Sequence, residues 1–210
     1  MTQIIVARHG ETEWNASEIF RGRRDIGLNE TGIKQAEMLG NYLTDLRIEA
    51  IYSSPLKRAL DTARSVAKHH SLNVNVNPGL MDFNYGAWEG LSHQAVKDKY
   101  RELYTRWLKE PHLVNIPEGE NLSEVRERAK SLLDRVVSKH SGLVVLVSHR
   151  VVNKVMICSM LGLEDSHFWD IKQDLGGITV FEHESGRYKL IKHNDTSYLN
   201  QIQKHTLDDF

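Results

Sequence analysis

Two continuous apolar runs, residues 4–7 and 143–147, constrain the fold of this chain more than any other feature. Each run has the pattern of a strand buried on both faces, which is typical of a parallel sheet covered by helices on both sides. The first run ends at Arg8-His9 and the second at His149. Because ligands of an open α/β sheet bind beyond the carboxyl ends of its strands, two histidines at this edge predict a functional site rather than packing.

A third element brings an arginine to the same edge of the expected sheet. Residues 50–63 are typical of a strand, a serine cap with proline at the first helical position, and a helix that carries Arg58 in its first turn. A helix N-terminus and a guanidinium both favour a bound phosphate. Beside Arg8, the imidazole of His9 has the chemistry of a nucleophile that attacks phosphorus. On its own Arg58 is more often a solvated helix residue, so the hypothesis depends on all three elements together.

The rest of the chain alternates between strand and helix patterns, which predicts an α/β fold in a single domain, residues 1–210. The helix at about 30–46 is expected to place Ile33, Ala36, Leu39 and Leu43 on one apolar face. A cap region is expected at about 82–120 and a polar tail at about 200–210. The other expected elements are helices at about 92–108, 122–136 and 151–160 and two closing strands at 178–182 and 188–193. The run from Asn121 to Glu124 is expected to cap the second of these helices. The residues of that helix expected to face inward are Leu122, Val125, Ala129, Leu132, Leu133 and Val136.

Composition excludes several classes of protein. The formal net charge of −1 comes with no basic block, which argues against a nucleic-acid surface. The single cysteine, Cys158, excludes an internal disulfide framework and suits a reducing compartment. No leader pattern and no membrane-length apolar run is present, so we expect a cytoplasmic protein without a membrane partner. The histidines outside the two strand ends show no metal-ligand spacing, and we expect no bound metal.

Several short motifs give the chain a family resemblance. The run Arg-His-Gly-Glu-Thr at residues 8–12, Ser-Ser-Pro-Leu-x-Arg-Ala at residues 53–59 and Val-Ser-His at residues 147–149 resemble the histidine phosphatase superfamily, also called phosphoglycerate mutase-like. Further matches include Gly-x-Trp-Glu-Gly at residues 86–90 and Pro-x-Gly-Glu at residues 117–120. The resemblance covers residues 4 to about 199. It implies a three-layer α/β/α fold with a mostly parallel central sheet and a small helical cap.

The resemblance also implies roles for the residues at the strand ends. His9 would be the nucleophile that becomes transiently phosphorylated. Arg8, Arg58 and His149 would surround the phosphoryl group, and Asn15 would help to hold it. Phosphoryl transfer depends mainly on positioning and on cations around the equatorial oxygens, which the arginines supply. We therefore expect neither a metal nor another cofactor.

The general acid is the first departure from the family pattern. Counting back from the Gly-x-Trp motif places Asp82 where relatives commonly carry glutamate. A carboxylic acid at this position would protonate the leaving alkoxide and later activate water. Aspartate is one methylene shorter, so either the backbone lies closer, a water intervenes, or activity falls. Glu89 is the alternative acid, but it belongs to the Trp-Glu-Gly element.

The expected substrate-binding residues include a second departure. Arg21 and Gly22 lie in the loop that borders the substrate in relatives, and Tyr85 is expected on an apolar wall of the pocket. Arg150 stands where many relatives carry glycine, and its side chain could point outward or face the pocket. So many arginines near one pocket favour a substrate with a carboxylate or a second phosphate.

Three function classes remain open from the sequence. The favoured one is a cofactor-independent phosphatase of a small phosphorylated metabolite, that is, a phosphoric monoester hydrolase. The second is a phosphoglycerate mutase, which would have to exclude water; the segment that mutase-type relatives insert after the acid is missing here. The third is a protein that binds phosphorylated ligands without turnover, for which only the aspartate at position 82 argues. The sequence leaves the particular phosphomonoester open, and a homodimer is possible.

Overall fold

The structure, a computed structural model, describes residues 1–200. At its centre is a six-stranded sheet with strand order β3-β2-β4-β1-β5-β6. Strands β1 to β4 pair in parallel, and β5 and β6 add an antiparallel edge. Apart from residue 200, the tail expected at about 200–210 lies outside the described residues. The strands are β1 (Thr2–Arg8), β2 (Ile48–Ser53), β3 (Val74–Val76), β4 (Leu143–Ser148), β5 (Ile178–Glu184) and β6 (Arg187–Asp195).

Helices cover both faces of this sheet, because alternate residues of its central strands point in opposite directions. Ile4 and Val6 pack with α6 and α7 on one face, whereas Ile5 and Ala7 pack with α2 and α3 on the other. This arrangement confirms the predicted three-layer α/β/α fold with a mostly parallel sheet. The helices are α1 (Glu13–Ala16), α2 (Glu30–Tyr42), α3 (Lys57–Ala67), α4 (His93–Lys99), α5 (Arg101–Lys109), α6 (Leu122–Lys139) and α7 (Arg150–Met160).

Helix α6 follows the sequence prediction closely. The side chain of Asn121 accepts a hydrogen bond from the backbone N–H of Glu124, whose carboxylate accepts one from the N–H of Asn121. Such a capping box satisfies two backbone donors that the helix itself leaves without a partner. The six positions expected to face inward are all buried: Leu122, Val125, Ala129, Leu132, Leu133 and Val136.

Helix α2 departs from its predicted extent and face. It ends at Tyr42 rather than near residue 46. Ile33, expected on the buried face, is 49% exposed. The reason is the close approach of the 10–11 backbone to the first turn of α2: a Cβ on Gly10 would lie 2.5 Å from the carbonyl oxygen of Gly32. Gly32 and Gln35 therefore occupy the buried face at this end of the helix.

Two other helices begin or break where the pattern did not indicate it. The segment expected to be one helix at 92–108 is two helices, α4 and α5, separated at Tyr100, whose backbone has φ −127° and ψ 43°. Helix α3 begins at Lys57, two residues after the proline that was expected to start it. The hydroxyl of Ser54 caps the intervening bend by accepting a hydrogen bond from Leu56 N–H at 3.3 Å. Within residues 1–200, no helix is both long and apolar enough to cross a membrane.

Candidate active site

Three neighbouring strands deliver polar residues to one point of the sheet edge. Strands β2, β4 and β1 lie side by side, and their carboxyl ends are followed by Ser54, His149 and His9, respectively. Arg58 comes from the first turn of α3, one turn beyond β2. The two imidazole rings lie 5.1 Å apart between centroids, and all four side chains are almost completely buried. The structure thus brings together the groups that the sequence placed at this edge.

The ring of His9 is held through its Nδ1 atom. Its Nδ1 lies 2.6 Å from the carbonyl oxygen of Gly10, and because a carbonyl only accepts, Nδ1 carries the proton. The other nitrogen therefore keeps a free lone pair. Burial, followed by electrostatic interaction with His149 and Arg58, holds the pKa of His9 well below its ordinary value. The imidazole is thus neutral near pH 7.

His149 is also neutral and held by two hydrogen bonds. The Nε of Arg58 donates to His149 Nδ1 at 3.3 Å, and an arginine nitrogen cannot accept. The proton of the neutral ring therefore sits on Nε2, which lies 2.7 Å from the hydroxyl oxygen of Ser54. Burial and the charge of Arg58 lower the pKa of His149 well below its ordinary value.

Arg58 connects the loop after α1 to the acidic side of the pocket. Its Nη2 donates to the carbonyl oxygen of Gly22 at 2.7 Å and to Asp82 Oδ2 at 2.8 Å. Its Nη1 donates to the carbonyl oxygen of Arg24 at 2.8 Å. Arg8, at the end of β1, donates to the backbone carbonyl of Gln173. Both guanidinium groups thus donate to acceptors of the protein itself.

Asp82 reaches this pocket despite its short side chain. Its Oδ2 lies 3.5 Å from His149 Nδ1, and its Oδ1 accepts a hydrogen bond from the N–H of Phe83 at 2.8 Å. Glu89, the alternative acid, instead accepts a hydrogen bond from the N–H of Arg23 at 2.8 Å. The geometry therefore favours Asp82 as the general acid.

Gly22 and Asn15, two further residues expected at the site, are each held by a close neighbour. Gly22 has a positive φ of 51°, and a Cβ there would lie 2.1 Å from a carboxylate oxygen of Glu89, so only glycine fits beside this side chain. Asn15 is buried, and its Oδ1 accepts from both the N–H and the hydroxyl of Thr12. The NH2 end of this amide is therefore the end that can donate to a phosphoryl oxygen.

A second cationic group lies beside the phosphoryl pocket. Arg21 donates to the carbonyl oxygens of Trp14 and Ile19, but its Nε is buried without a hydrogen-bond partner among the described residues. Burial and the nearby Arg8 lower the pKa of Arg21 to about 9. The side chain of Arg150 hydrogen-bonds Tyr85. Arg150 therefore lies on the side of Tyr85, one of the two directions that the sequence left open.

Three residues near the site were not anticipated. His93 begins α4 and stacks on Phe20 at 4.4 Å; burial and the charges of Arg150 and Arg21 lower its pKa to about 4. Arg128 donates to backbone carbonyls on both sides of Met81, and Ser54 contacts His149. For Ser54 the only sequence signal is its place in a capping pattern.

Among residues 1–200, no cluster of three or more His, Cys, Asp or Glu side chains is suited to hold a metal.

Comparisons with known proteins agree with this geometry. A model of the histidine phosphatase superfamily (branch 1) matches residues 4–196. Phosphoserine phosphatase 1 of Hydrogenobacter thermophilus is 37% identical over 203 residues, 96% of each chain. Bacillus stearothermophilus YhfR superposes with a TM-score of 0.91 at 28% identity, covering 95% of this chain and 100% of that one.

A third relative was solved with a ligand. It is a mutant phosphoserine phosphatase of Entamoeba histolytica in complex with phosphoserine, and it superposes with a TM-score of 0.83 at 30% identity over 95% of this chain and 100% of that one. The chain belongs to branch 1 of the histidine phosphatase superfamily, which confirms the predicted family and the predicted class of enzyme, a phosphoric monoester hydrolase.

Proposed function

We propose that this chain hydrolyses a small phosphorylated metabolite through a phosphohistidine formed on His9, without a metal or other cofactor. The observation that carries the proposal is the neutral ring of His9, whose Nε2 is free and whose neighbours are His149, Arg58 and Arg8. Fixed cations around a neutral nucleophile are what phosphoryl transfer requires, because the charge of the transition state lies on the phosphoryl oxygens.

The reaction proceeds in two displacements. In the first, His9 Nε2 forms a bond to phosphorus as the ester P–O bond breaks, and the leaving alkoxide takes a proton from Asp82. In the second, the carboxylate of Asp82 takes a proton from water, the water oxygen bonds to phosphorus, and the P–N bond to His9 breaks. Arg8 and Arg58 hold the phosphoryl oxygens in both steps. The dianion competes with Asp82 for Arg58, which leaves the carboxyl available to carry a proton.

The test is phosphate release from a panel of metabolite phosphates without added metal, with interconversion of phosphoglycerates measured in parallel. We expect release from one or a few compounds. We also expect acid-labile phosphate on the wild type and none on His9→Ala. Interconversion without release would instead indicate a mutase, and turnover by His9→Ala at the wild-type rate would refute His9 as nucleophile.

The cations beyond the phosphoryl group support a narrower substrate class. The charges of Arg21 and Arg150 both lower the pKa of Tyr85, so the two guanidinium groups lie near the same ring. The Nε of Arg21 is a buried donor without a partner among the described residues. Two arginines close together are stabilised by a bound anion. The proposed substrate therefore carries a second negative group, and phosphoserine, the substrate named for two of the relatives above, is one such compound.

This narrower proposal is tested with a pair of substrates that differ by a carboxylate. Phosphoserine and phosphoethanolamine both release a primary amino alcohol, but only phosphoserine carries a carboxylate. We expect the wild type to prefer phosphoserine in kcat/KM, and Arg150→Met to lose on the order of tenfold of that preference, the size of a charge-assisted hydrogen bond. Arg135→Met, on the exposed side of α6, is the matched control. An unchanged preference in Arg150→Met would refute the second anion site.

A further inference from the structure

We infer that Ser54 is a positioning residue that fixes the tautomer of His149, so that an anion bound in the phosphoryl pocket loads one proton onto His149 Nδ1. The inference rests on the proposed function of this pocket as a phosphoryl site. It assigns a role to a buried hydroxyl that takes no part in the two displacements.

The hydrogen bond between Ser54 and His149 takes its direction from Arg58, because the guanidinium donates to His149 Nδ1 and leaves the ring proton on Nε2. The backbone N–H of Leu56 donates to it at 3.3 Å, and His149 Nε2 lies 2.7 Å away. A hydroxyl oxygen has two acceptor lone pairs, and these two N–H groups use both. Both Ser54 and His149 are completely buried. The hydroxyl thus accepts the Nε2 proton and stabilises this tautomer, in which the unprotonated Nδ1 faces Arg58 and Asp82.

The empty pocket opposes a second proton on this ring. Desolvation and four arginines lower the pKa of His149, whereas one carboxylate lies within 3.5 Å of Nδ1. A bound dianion reverses this balance, since it adds two negative charges beside the ring. The charged and titratable groups around His149 are Arg8 from β1, His9 after it, Arg21 before α2, Arg58 from α3, Asp82 in its loop and Arg128 from α6.

A proton is required for Nδ1 to contact a phosphoryl oxygen. Phosphoryl oxygens and an unprotonated ring nitrogen are both acceptors, so they repel each other. When the anion arrives, Arg58 Nε turns from His149 Nδ1 to a phosphoryl oxygen, and Nδ1 takes a proton from solvent. Ser54 accepts from Nε2–H in both states. The imidazolium then donates to the anion, and binding of the dianion consumes one proton.

The test uses sulfate as the probe, because sulfate stays a dianion throughout the neutral range. Titration calorimetry near neutral pH in buffers with different ionisation enthalpies measures the protons taken up per sulfate bound. Ring 15N spectra of histidine-labelled protein, assigned with His149→Gln, report directly which nitrogen carries a proton. For the wild type we expect the Nε2–H tautomer without sulfate, the imidazolium with sulfate, and uptake of about one proton.

Two serine variants isolate the positioning role. Ser54→Ala removes the acceptor of Nε2–H, so we expect the proton uptake to be lost and sulfate affinity to fall on the order of tenfold. Ser53→Ala is the matched control, because Ser53 is equally buried but its hydroxyl donates to the carbonyl oxygen of Ser54. It should retain both properties. If Ser54→Ala does not fold, the wild-type spectra alone decide.

Three results would overturn the inference: an Nδ1–H tautomer in the empty protein, sulfate binding without proton uptake, or a Ser54→Ala variant that behaves like the wild type. Phosphatase activity of the same preparation separates this failure from that of the proposed function. Normal turnover combined with any of the three would refute only the role of Ser54. Absence of both turnover and sulfate binding would refute the phosphoryl site and the inference with it.

Discussion

At the scale of single residues, Asp82 illustrates how a shorter side chain reaches a site built for a longer one. The backbone before it is held inward by Ser148, whose hydroxyl donates to the carbonyl oxygen of Leu80 at 2.7 Å. Arg128 also donates to the carbonyl oxygen of Met81 at 2.6 Å. From the backbone held in this way, the Asp82 carboxylate reaches Arg58 at 2.8 Å. Of the possibilities that the sequence left open, a closer backbone is the one that the contacts favour.

Two substrates with different leaving groups distinguish proton donation by Asp82 from its contact with Arg58. We expect Asp82→Asn to slow hydrolysis of an alkyl phosphate such as phosphoserine about 10²–10⁴-fold, because a poor leaving group needs a proton. Hydrolysis of p-nitrophenyl phosphate, whose leaving group needs none, should fall far less. Steady-state kinetics on both substrates measure the difference. Equal losses on both would transfer the acid role elsewhere, and Glu89→Gln is the variant to compare.

At the scale of elements, helix α6 clamps the loop that carries Asp82. The guanidinium of Arg128 binds both carboxylate oxygens of Glu120 at 3.1 Å. It also donates to the carbonyl oxygens of Gly79 at 3.0 Å and Asp82 at 3.3 Å. The second oxygen of Glu120 accepts in turn from the N–H of Asn84. The ion pair between Arg128 and Glu120 therefore holds the backbone on either side of Asp82.

Removing this clamp should affect catalysis more than a surface change does. We expect Arg128→Met to destabilise the fold by about 1–3 kcal/mol, because Glu120 and several carbonyls lose a largely buried partner. We also expect a larger loss of kcat on phosphoserine than on p-nitrophenyl phosphate, because Asp82 moves. Urea unfolding and kinetics measure the two effects, with Arg135→Met as control. A stability loss without the leaving-group effect would show that the clamp is structural only.

The sequence predicted the elements better than the contacts between them. Strand β4 and the capping box at Asn121 follow from local pattern and were predicted correctly. The break at Tyr100 and the exposure of Ile33 depend on what packs against each helix, which one sequence does not state. The same holds at the site: motif position predicted that His9, His149 and Arg58 converge, whereas the direction of Arg150 depends on Tyr85.

At the scale of the whole molecule, charged groups are paired at the amino end of the sheet, whereas arginines outnumber carboxylates at the carboxyl end. At the amino end, a hydrogen-bonded cluster pairs a histidine with a glutamate. His140, at the end of α6, hydrogen-bonds Glu49 of β2 through Nδ1 at 2.6 Å and Tyr52 through Nε2 at 2.9 Å. The second oxygen of Glu49 accepts from the N–H of Gly142 at 2.6 Å, just before β4. This cluster joins β2, the residue before β4 and the end of α6.

The cluster makes a pH-dependent contribution to stability. The hydrogen bond from His140 and the N–H of Gly142 lower the pKa of Glu49 below its ordinary value of 4.5, although burial opposes them. A carboxyl whose pKa is depressed stabilises the fold above its unfolded pKa and loses this effect as the pH falls through the folded pKa. Because Glu49 is partly exposed, we expect Glu49→Gln to cost about 1 kcal/mol or less at neutral pH.

Urea unfolding of the wild type and Glu49→Gln at neutral pH and at about pH 3–4 measures this difference. The difference should shrink at the acidic end, where the wild-type carboxyl takes up its proton. Glu37→Gln, an exposed position on α2, is the control and should show no such trend. A difference that grows as the pH falls would contradict the sign derived above.

The carboxyl end, by contrast, concentrates cations that destabilise one another in the absence of an anion. Arg8, Arg21, Arg58 and Arg150 converge there around the single carboxylate of Asp82. An anion that binds only the folded chain stabilises it by about 2.7 kcal/mol at a hundred times its Kd. For a chain of this size that corresponds to a rise in Tm of roughly 5–10 °C.

Thermal unfolding with increasing phosphate, compared with chloride at equal ionic strength, measures this rise in Tm. The Arg58→Met variant should lose most of the rise. A Tm that responds equally to both salts, or equally in Arg58→Met, would mean that phosphate acts through general screening rather than by occupying the pocket.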